Sequence, residues 1–227
     1  MDVDGTLLDV KERQMAAFRL ALQQDGFQCS HSMLNAYYRK RRNGIPAQVI
    51  FEQVGADKKL DQIRVRLLES KKLIASDKPT PGALGILREL RTARVRVVLL
   101  SHRRKRGLLK RQLEKVGISP LVDEVLVTRD SPQKESGTGK LRAIRNILQN
   151  SSLQPQSCLL VGDTEVDIKT GKALEITTVG VFSGIRSRPL IEMQHPDYVL
   201  RSISALTLLI RSCGRWSMED FARQRRN

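Results

Sequence analysis

Two aspartates stand one residue apart at the start of the chain, in Met1-Asp2-Val3-Asp4-Gly5-Thr6. Two more stand four apart in Gly162-Asp163-Thr164-Glu165-Val166-Asp167. Residues two apart on an extended segment share a side, so Asp2 and Asp4 face the same way. Gly5 and Thr6 then break the strand and leave both carboxylates at its carboxyl edge. Asp163 follows the apolar run from Cys158 to Val161, and Asp167 falls about one helical turn further on, so these two also converge. Like charges this close are costly unless a proton or a cation offsets them. A hard divalent cation with oxygen ligands, Mg²⁺ in the first instance, meets that need. A carboxylate beside such an ion can act as a nucleophile at phosphorus. Helix N-capping by Asp163 or Thr164 would explain one of these acids. It does not explain both pairs together.

Two further groups suit the same chemistry. Ser101 closes the β-branched apolar run Val95 to Leu100, and a hydroxyl at a strand's carboxyl end can donate to a phosphoryl oxygen. Lys140 opens a helix beyond the glycine-rich stretch Glu135 to Gly139, where a fixed cation would neutralise charge shared by nucleophile and phosphoryl group. Lys134 is the competitor for that role. Arg103 is read as part of a solvated basic turn, and His102 is given no catalytic role.

The elements that must position these residues alternate. Strands are expected at 1–4, 95–100, 124–128, 158–161, 177–181 and 198–200, with helices between them, which implies right-handed β-α-β units and a mostly parallel sheet. Residues 11–78 break the alternation. They carry helical periodicity only, in four helices of which the last spans 60–74, and they can bury one another's apolar stripes as a small bundle. Lys78-Pro79-Thr80-Pro81-Gly82 punctuates its end. The chain is therefore divided into an α/β core at 1–10 and 79–210, a helical insertion at 11–78 and a polar tail at 211–227.

Composition narrows the setting. No apolar run approaches the length that spans a membrane. The cysteines, Cys29, Cys158 and Cys213, have neither metal-ligand spacing nor the even count of a disulfide framework, which suits a reducing cytosol. Forty Lys and Arg against twenty-four Asp and Glu give a net charge of +16, enough to attract polyanions. Aromatic residues are only 4%, too few for stacking platforms, and no nucleic-acid module is visible, so a solvated basic surface is favoured over nucleic-acid binding.

Asp2-x-Asp4-Gly5-Thr6, the apolar strand closing in Ser101, Lys140 and Gly162-Asp163-x-x-x-Asp167 occur in this order. Together they resemble the four motifs of the haloacid dehalogenase superfamily, in its phosphatase branch. Pro81-Gly82 before a helix and His195-Pro196-Asp197-Tyr198-Val199 resemble the phosphoglycolate phosphatase-like group. The resemblance covers nearly the whole chain to about residue 210. It implies a Rossmann-like core with a helical cap inserted after the nucleophile, and a Mg²⁺-dependent phosphatase acting on a small phosphorylated metabolite. Asp2 would attack phosphorus to give an aspartyl-phosphate. Asp4 would protonate the leaving group and then activate water, which requires a raised pKa before the first step. Ser101, Lys140 and Thr6 would hold the phosphoryl oxygens. Asp2, the Asp4 carbonyl and Asp163 would hold the metal, with Asp167 an outer ligand or a partner of Lys140. The family spacing to Asp163 favours Lys140, at 23 positions, over Lys134, at 29. Arg42 and Asn43 in the cap are candidates for leaving-group recognition.

Asp4 argues against haloalkanoic-acid dehalogenase chemistry. Sugar phosphomutases keep both acids and stay open as the alternative enzyme. One departure stands out. The family places an apolar run before the nucleophile, and here only Met1 precedes Asp2. The expectation is a truncated first strand, with a non-catalytic, polyanion-binding member as the alternative from another class. Substrate identity and oligomeric state are open at this point.

Overall fold

The computed structural model describes residues 1–128 and 138–212. In chain order the elements are β1 (Leu8–Asp9), α1 (Lys11–Gln24), α2 (His31–Arg42), α3 (Ala47–Gln53), α4 (Leu60–Leu68), α5 (Lys71–Ile74), β2 (Lys78–Pro79), α6 (Ala83–Thr92), β3 (Val98–Ser101), α7 (Arg106–Lys115), β4 (Glu124–Val127), α8 (Thr138–Ser151), β5 (Leu159–Gly162), α9 (Glu165–Ala173), β6 (Thr177–Val181), α10 (Arg188–Glu192), β7 (Tyr198–Leu200) and α11 (Leu206–Ser212).

β3 and β4 pair in parallel, from Val98 opposite Glu124 to Ser101 opposite Val127. β5, β6 and β7 form a parallel trio in that order. The start of the chain joins the two pieces. The Leu100 N–H donates to the Met1 carbonyl at 2.9 Å, and the Asp2 N–H donates to the Val161 carbonyl at 2.8 Å. Met1 and Asp2 thus lie between β3 and β5, running parallel to β3. An apolar cavity of about 300 Å³ is bounded by Met1, Val98, Leu100, Ile144, Leu160 and Ile176. The main core gathers Val3, Leu87, Leu99, Val161 and Val179 from the sheet and α6. Val95 to Val97 fall outside β3, where sequence periodicity predicts strand. Val97 is nevertheless tied to the neighbouring segment, its N–H donating to the Asp123 carboxylate and its carbonyl accepting from the Asp123 N–H.

α1 to α4 bury a second apolar cluster of their own, centred on Phe18, Tyr37 and Phe51. Phe18 stacks on Tyr37 with ring centroids 4.0 Å apart and leans on Phe51 at 4.8 Å. The single helix expected over 60–74 is two, because Ser70 interrupts it in an extended conformation and its hydroxyl accepts from the Leu73 N–H. Ser30 caps α2 in the same manner, accepting from the Met33 N–H at 3.2 Å. Replacing Ser30 with Ala is expected to cost about 1 kcal/mol in urea unfolding, with no change in any activity.

The two connections between bundle and core lie side by side. β1 pairs antiparallel with β2, Leu8 opposite Pro79 and Asp9 opposite Lys78. The sequence marks Lys78-Pro79 only as punctuation; the pairing is long-range and has no local signal.

Candidate active site

Asp2 ends its bridge to β3 with its carboxylate buried at the carboxyl edge of the sheet. Asp163 follows β5, and Asp167 lies in the first turn of α9; both are fully buried. One carboxylate oxygen from each of Asp2, Asp163 and Asp167 lies within 4.8 Å of the others. Lys140 enters from α8. Its ammonium donates to Asp2 and, at 2.6 Å, to Asp167. Lys134, its competitor, lies outside the described residues.

Each carboxylate is oriented from behind. Asp167 accepts from the Thr164 N–H at 3.1 Å and the Thr164 hydroxyl at 2.7 Å, so it caps α9 and binds Lys140 at once. Asp163 accepts from the Thr6 hydroxyl at 3.1 Å and the Ile185 N–H at 2.6 Å. Thr6 therefore spends its hydroxyl on Asp163, whereas the sequence places it on the substrate. Ser101 is buried at the end of β3, where its hydroxyl accepts from the Arg103 N–H.

The charges do not balance. Asp2, Asp163 and Asp167 face Lys140, which leaves two negative charges uncompensated if all three are ionised. Burial pushes Asp2 up to about 6 against the pull of Lys140. Asp163 is pushed well above the usual carboxylate range, by burial and then by the Asp2 and Asp167 charges. Burial works in the same direction on Asp167, but the Lys140 ammonium and the Thr164 donors overcome it and hold this carboxyl low. Three oxygen donors short of two positive charges fit a divalent hard cation.

Gly5 is what allows the approach. Its φ of +89° is left-handed, and a Cβ there would lie 2.1 Å from an Asp163 oxygen. Gly5→Ala should displace Asp163 and lower turnover roughly 10- to 100-fold, measured as phosphate release by the folded variant.

Asp4 departs from the sequence expectation. Arg103 grips it with a fork, Nε to one oxygen at 2.8 Å and Nη2 to the other, and Arg13 Nη2 adds a third contact at 2.8 Å. Burial would raise the Asp4 carboxyl, but these two guanidinium groups hold it well below the usual range. In this arrangement Asp4 is a carboxylate, not the protonated acid the first step needs. Arg103 likewise is no solvated turn residue. It is buried and reaches Asp4, Asp77 and Gln112. Arg13, Asp77 and Gln112 are absent from the sequence reading. Only Gln112 carries a signal, as a polar residue on the Leu109-Leu113 stripe of α7. Arg13 reads as an exposed helical charge, and Asp77 as a loop residue before a proline.

Arg42 donates from the end of α2 to the Phe182 and Arg186 carbonyls, and its own carbonyl accepts from the Ser187 N–H at 2.8 Å. Tyr38 Oη donates to the Gly184 carbonyl at 3.5 Å, and Gly184 packs against Asp163. The described contacts of Arg42 are thus to the loop beside the site. Asn43 is the exposed C-cap of α2.

The fold and this constellation define a hydrolase class. The family model described as haloacid dehalogenase-like hydrolase matches residues 1–181, and the chain belongs to that family. Pyrophosphatase PpaX of Oceanobacillus iheyensis is 22% identical over 217 residues, covering 92% of this chain and 94% of that protein. A phosphoglycolate phosphatase of Pseudomonas putida is 26% identical over 135 residues, 56% of this chain and 45% of that one. Among solved structures, a haloacid dehalogenase family hydrolase from Deinococcus radiodurans, crystallised with bound phosphate and sodium, superposes with a TM-score of 0.69 at 19% identity, covering 95% of each chain. Among the described residues no helix is long and apolar enough to cross a membrane.

Proposed function

We propose that the chain is a Mg²⁺-dependent phosphatase that hydrolyses a small phosphorylated metabolite through a phosphorylated Asp2. The observation that carries this reading is the buried convergence of Asp2, Asp163 and Asp167 at the sheet's carboxyl edge, with Lys140 bonded to Asp2 and Asp167 as the cation among them. Asp2, Asp163 and the Asp4 carbonyl are the residues that would hold Mg²⁺, which supplies charge neutralisation of the phosphoryl group and of the attacking carboxylate. Asp167 is placed as the orienting partner of Lys140. Lys140 keeps the Asp2 carboxylate fixed and offsets the charge that the phosphoryl group brings to it. The Ser101 hydroxyl is the donor closest in the chain to the bridge residue Leu100, and it is assigned to a phosphoryl oxygen. Asp4, held ionised by Arg103 and Arg13, is ready as the base that takes a proton from the water cleaving the aspartyl-phosphate. To protonate the leaving oxygen in the first step it must first gain a proton, so that role requires bound substrate to loosen the two guanidinium contacts.

The relatives' names set the first substrates to try, phosphoglycolate and pyrophosphate. The test is phosphate release from p-nitrophenyl phosphate, phosphoglycolate and pyrophosphate, with Mg²⁺ and with a chelator. Turnover with Mg²⁺ that stops on chelation is the expected result. Turnover unchanged by chelation overturns the metal requirement. Phosphoryl transfer between sugar phosphates without release to water would make the enzyme a mutase.

A further inference from the structure

The grip on Asp4 extends into a network of five side chains from five places in the chain. Arg13 lies on α1, a few residues after β1. Asp77 immediately precedes β2. Arg103 follows β3, Gln112 lies on α7, and Asp4 follows the nucleophile. Asp77 lies 3.1 Å from Arg13 Nε, and it accepts from Arg103 at 3.2 Å and from Gln112 at 2.9 Å. Two carboxylates and two guanidinium groups make the set neutral. Arg13, Asp77, Arg103 and Gln112 are all buried, and Asp4 alone keeps a quarter of its side chain exposed.

The members divide between two bodies of structure. Arg103 and Gln112 belong to the sheet and its helices. Arg13 belongs to the bundle, where its remaining nitrogen donates to the Leu68 carbonyl at the end of α4. Asp4 is thus held from the core by Arg103 and from the bundle by Arg13. The Arg103 fork fixes the Asp4 rotamer, because each Asp4 oxygen has its donor direction imposed, whereas Arg13 Nε meets Asp77 Oδ1 as a buried ion pair without hydrogen-bond alignment. A lysine at position 13 would keep the charge but could not bridge Asp4 and Asp77 with two nitrogens.

We infer that Arg13 is a positioning residue for the acid–base aspartate. It acts from the helical bundle, aligning Asp4 with the leaving oxygen and tying that alignment to the seat of α1. Arg13 itself touches no reacting atom. The inference rests on the reading of Asp4 as acid and base, and the two fail in different ways.

The test compares an aryl phosphate, p-nitrophenyl phosphate, with an alkyl phosphate, glycerol 2-phosphate. An aryl leaving group departs with little help from an acid, and an alkyl one needs it. The variants are Arg13→Met, Arg13→Lys, Asp4→Asn and the charge-neutral double change Arg13→Met with Asp77→Asn. The last guards against loss of fold, since it leaves no unpaired buried charge at that pair. Because both substrates share the hydrolysis step that Asp4 also serves, the rates compared are single-turnover release of the leaving group, where Asp4→Asn is expected to cut the alkyl rate far more than the aryl rate. Arg13→Met and the double variant should lower the single-turnover alkyl rate roughly tenfold, with KM and the aryl rate within about twofold of wild type. Arg13→Lys should restore part of the alkyl rate. Equal losses on both substrates in the Arg13 variants, or none, beside a selective loss in Asp4→Asn, would overturn the role of Arg13 alone. Equal losses in Asp4→Asn would overturn the acid–base reading beneath it.

Discussion

Asp2→Asn is expected to lower phosphate release by on the order of 10⁴-fold or more, because it removes the one group that can carry the phosphoryl intermediate. The same change should not weaken the fold. Asp2 is one of three crowded carboxylates on a single ammonium, and burial already pushes it up to about 6. An amide there relieves repulsion with Asp163, while Lys140 keeps Asp167. Urea unfolding in the absence of divalent ions should therefore give a midpoint equal to or above that of the wild type. Activity retained within tenfold in this variant would remove Asp2 from the chemistry.

Lys140→Met acts in the opposite sense on stability. It leaves Asp2 and Asp167 buried without their cation, and breaking a buried pair in this way costs about 3–5 kcal/mol. Turnover should fall by about 10²- to 10³-fold as well. The pH dependence distinguishes charge from packing. Lys140 leads the forces that overcome burial at Asp167 and hold its carboxyl low. A carboxyl with a depressed folded pKa stabilises the native state above its unfolded value and loses that contribution as pH falls through its folded one. The deficit of Lys140→Met should thus be largest near neutrality and shrink below pH about 4, where carboxylates protonate in the unfolded chain. A deficit that is constant across this range would mean that Lys140 serves by its bulk.

The sequence carries the site's acids more plainly than their surroundings. Asp2, Lys140, Asp163 and Asp167 are visible because each sits where an apolar run stops or a helix starts, and the structure brings them together. The alternation of strands and helices is visible for the same reason. The partners of Asp4 are not. Arg13 and Asp77 are 64 positions apart and meet only because the bundle returns to its point of departure. Nothing local distinguishes Arg13 from the solvated charges beside it, Lys11 and Glu12. Arg103 is hidden in a run of four basic residues, of which Arg104, Lys105 and Arg106 are exposed as composition suggests. Its burial is decided by Asp4, Asp77 and Gln112, from three other parts of the chain. Pairing within β1–β2 escapes sequence reading likewise, since two-residue strands have no period.

That short ribbon makes the bundle a closed excursion from the sheet. The chain departs after Asp9 and comes back at Lys78, which lies directly opposite it. A tight two-residue hairpin would bridge the same two positions. Helices can consequently be lengthened, shortened or exchanged within the excursion while strand order and the carboxylates below stay as they are. Arg13 and Asp77, at the two ends of the detour, tie it to Asp4, and Tyr38 and Arg42 within it tie it to the loop beside Asp163.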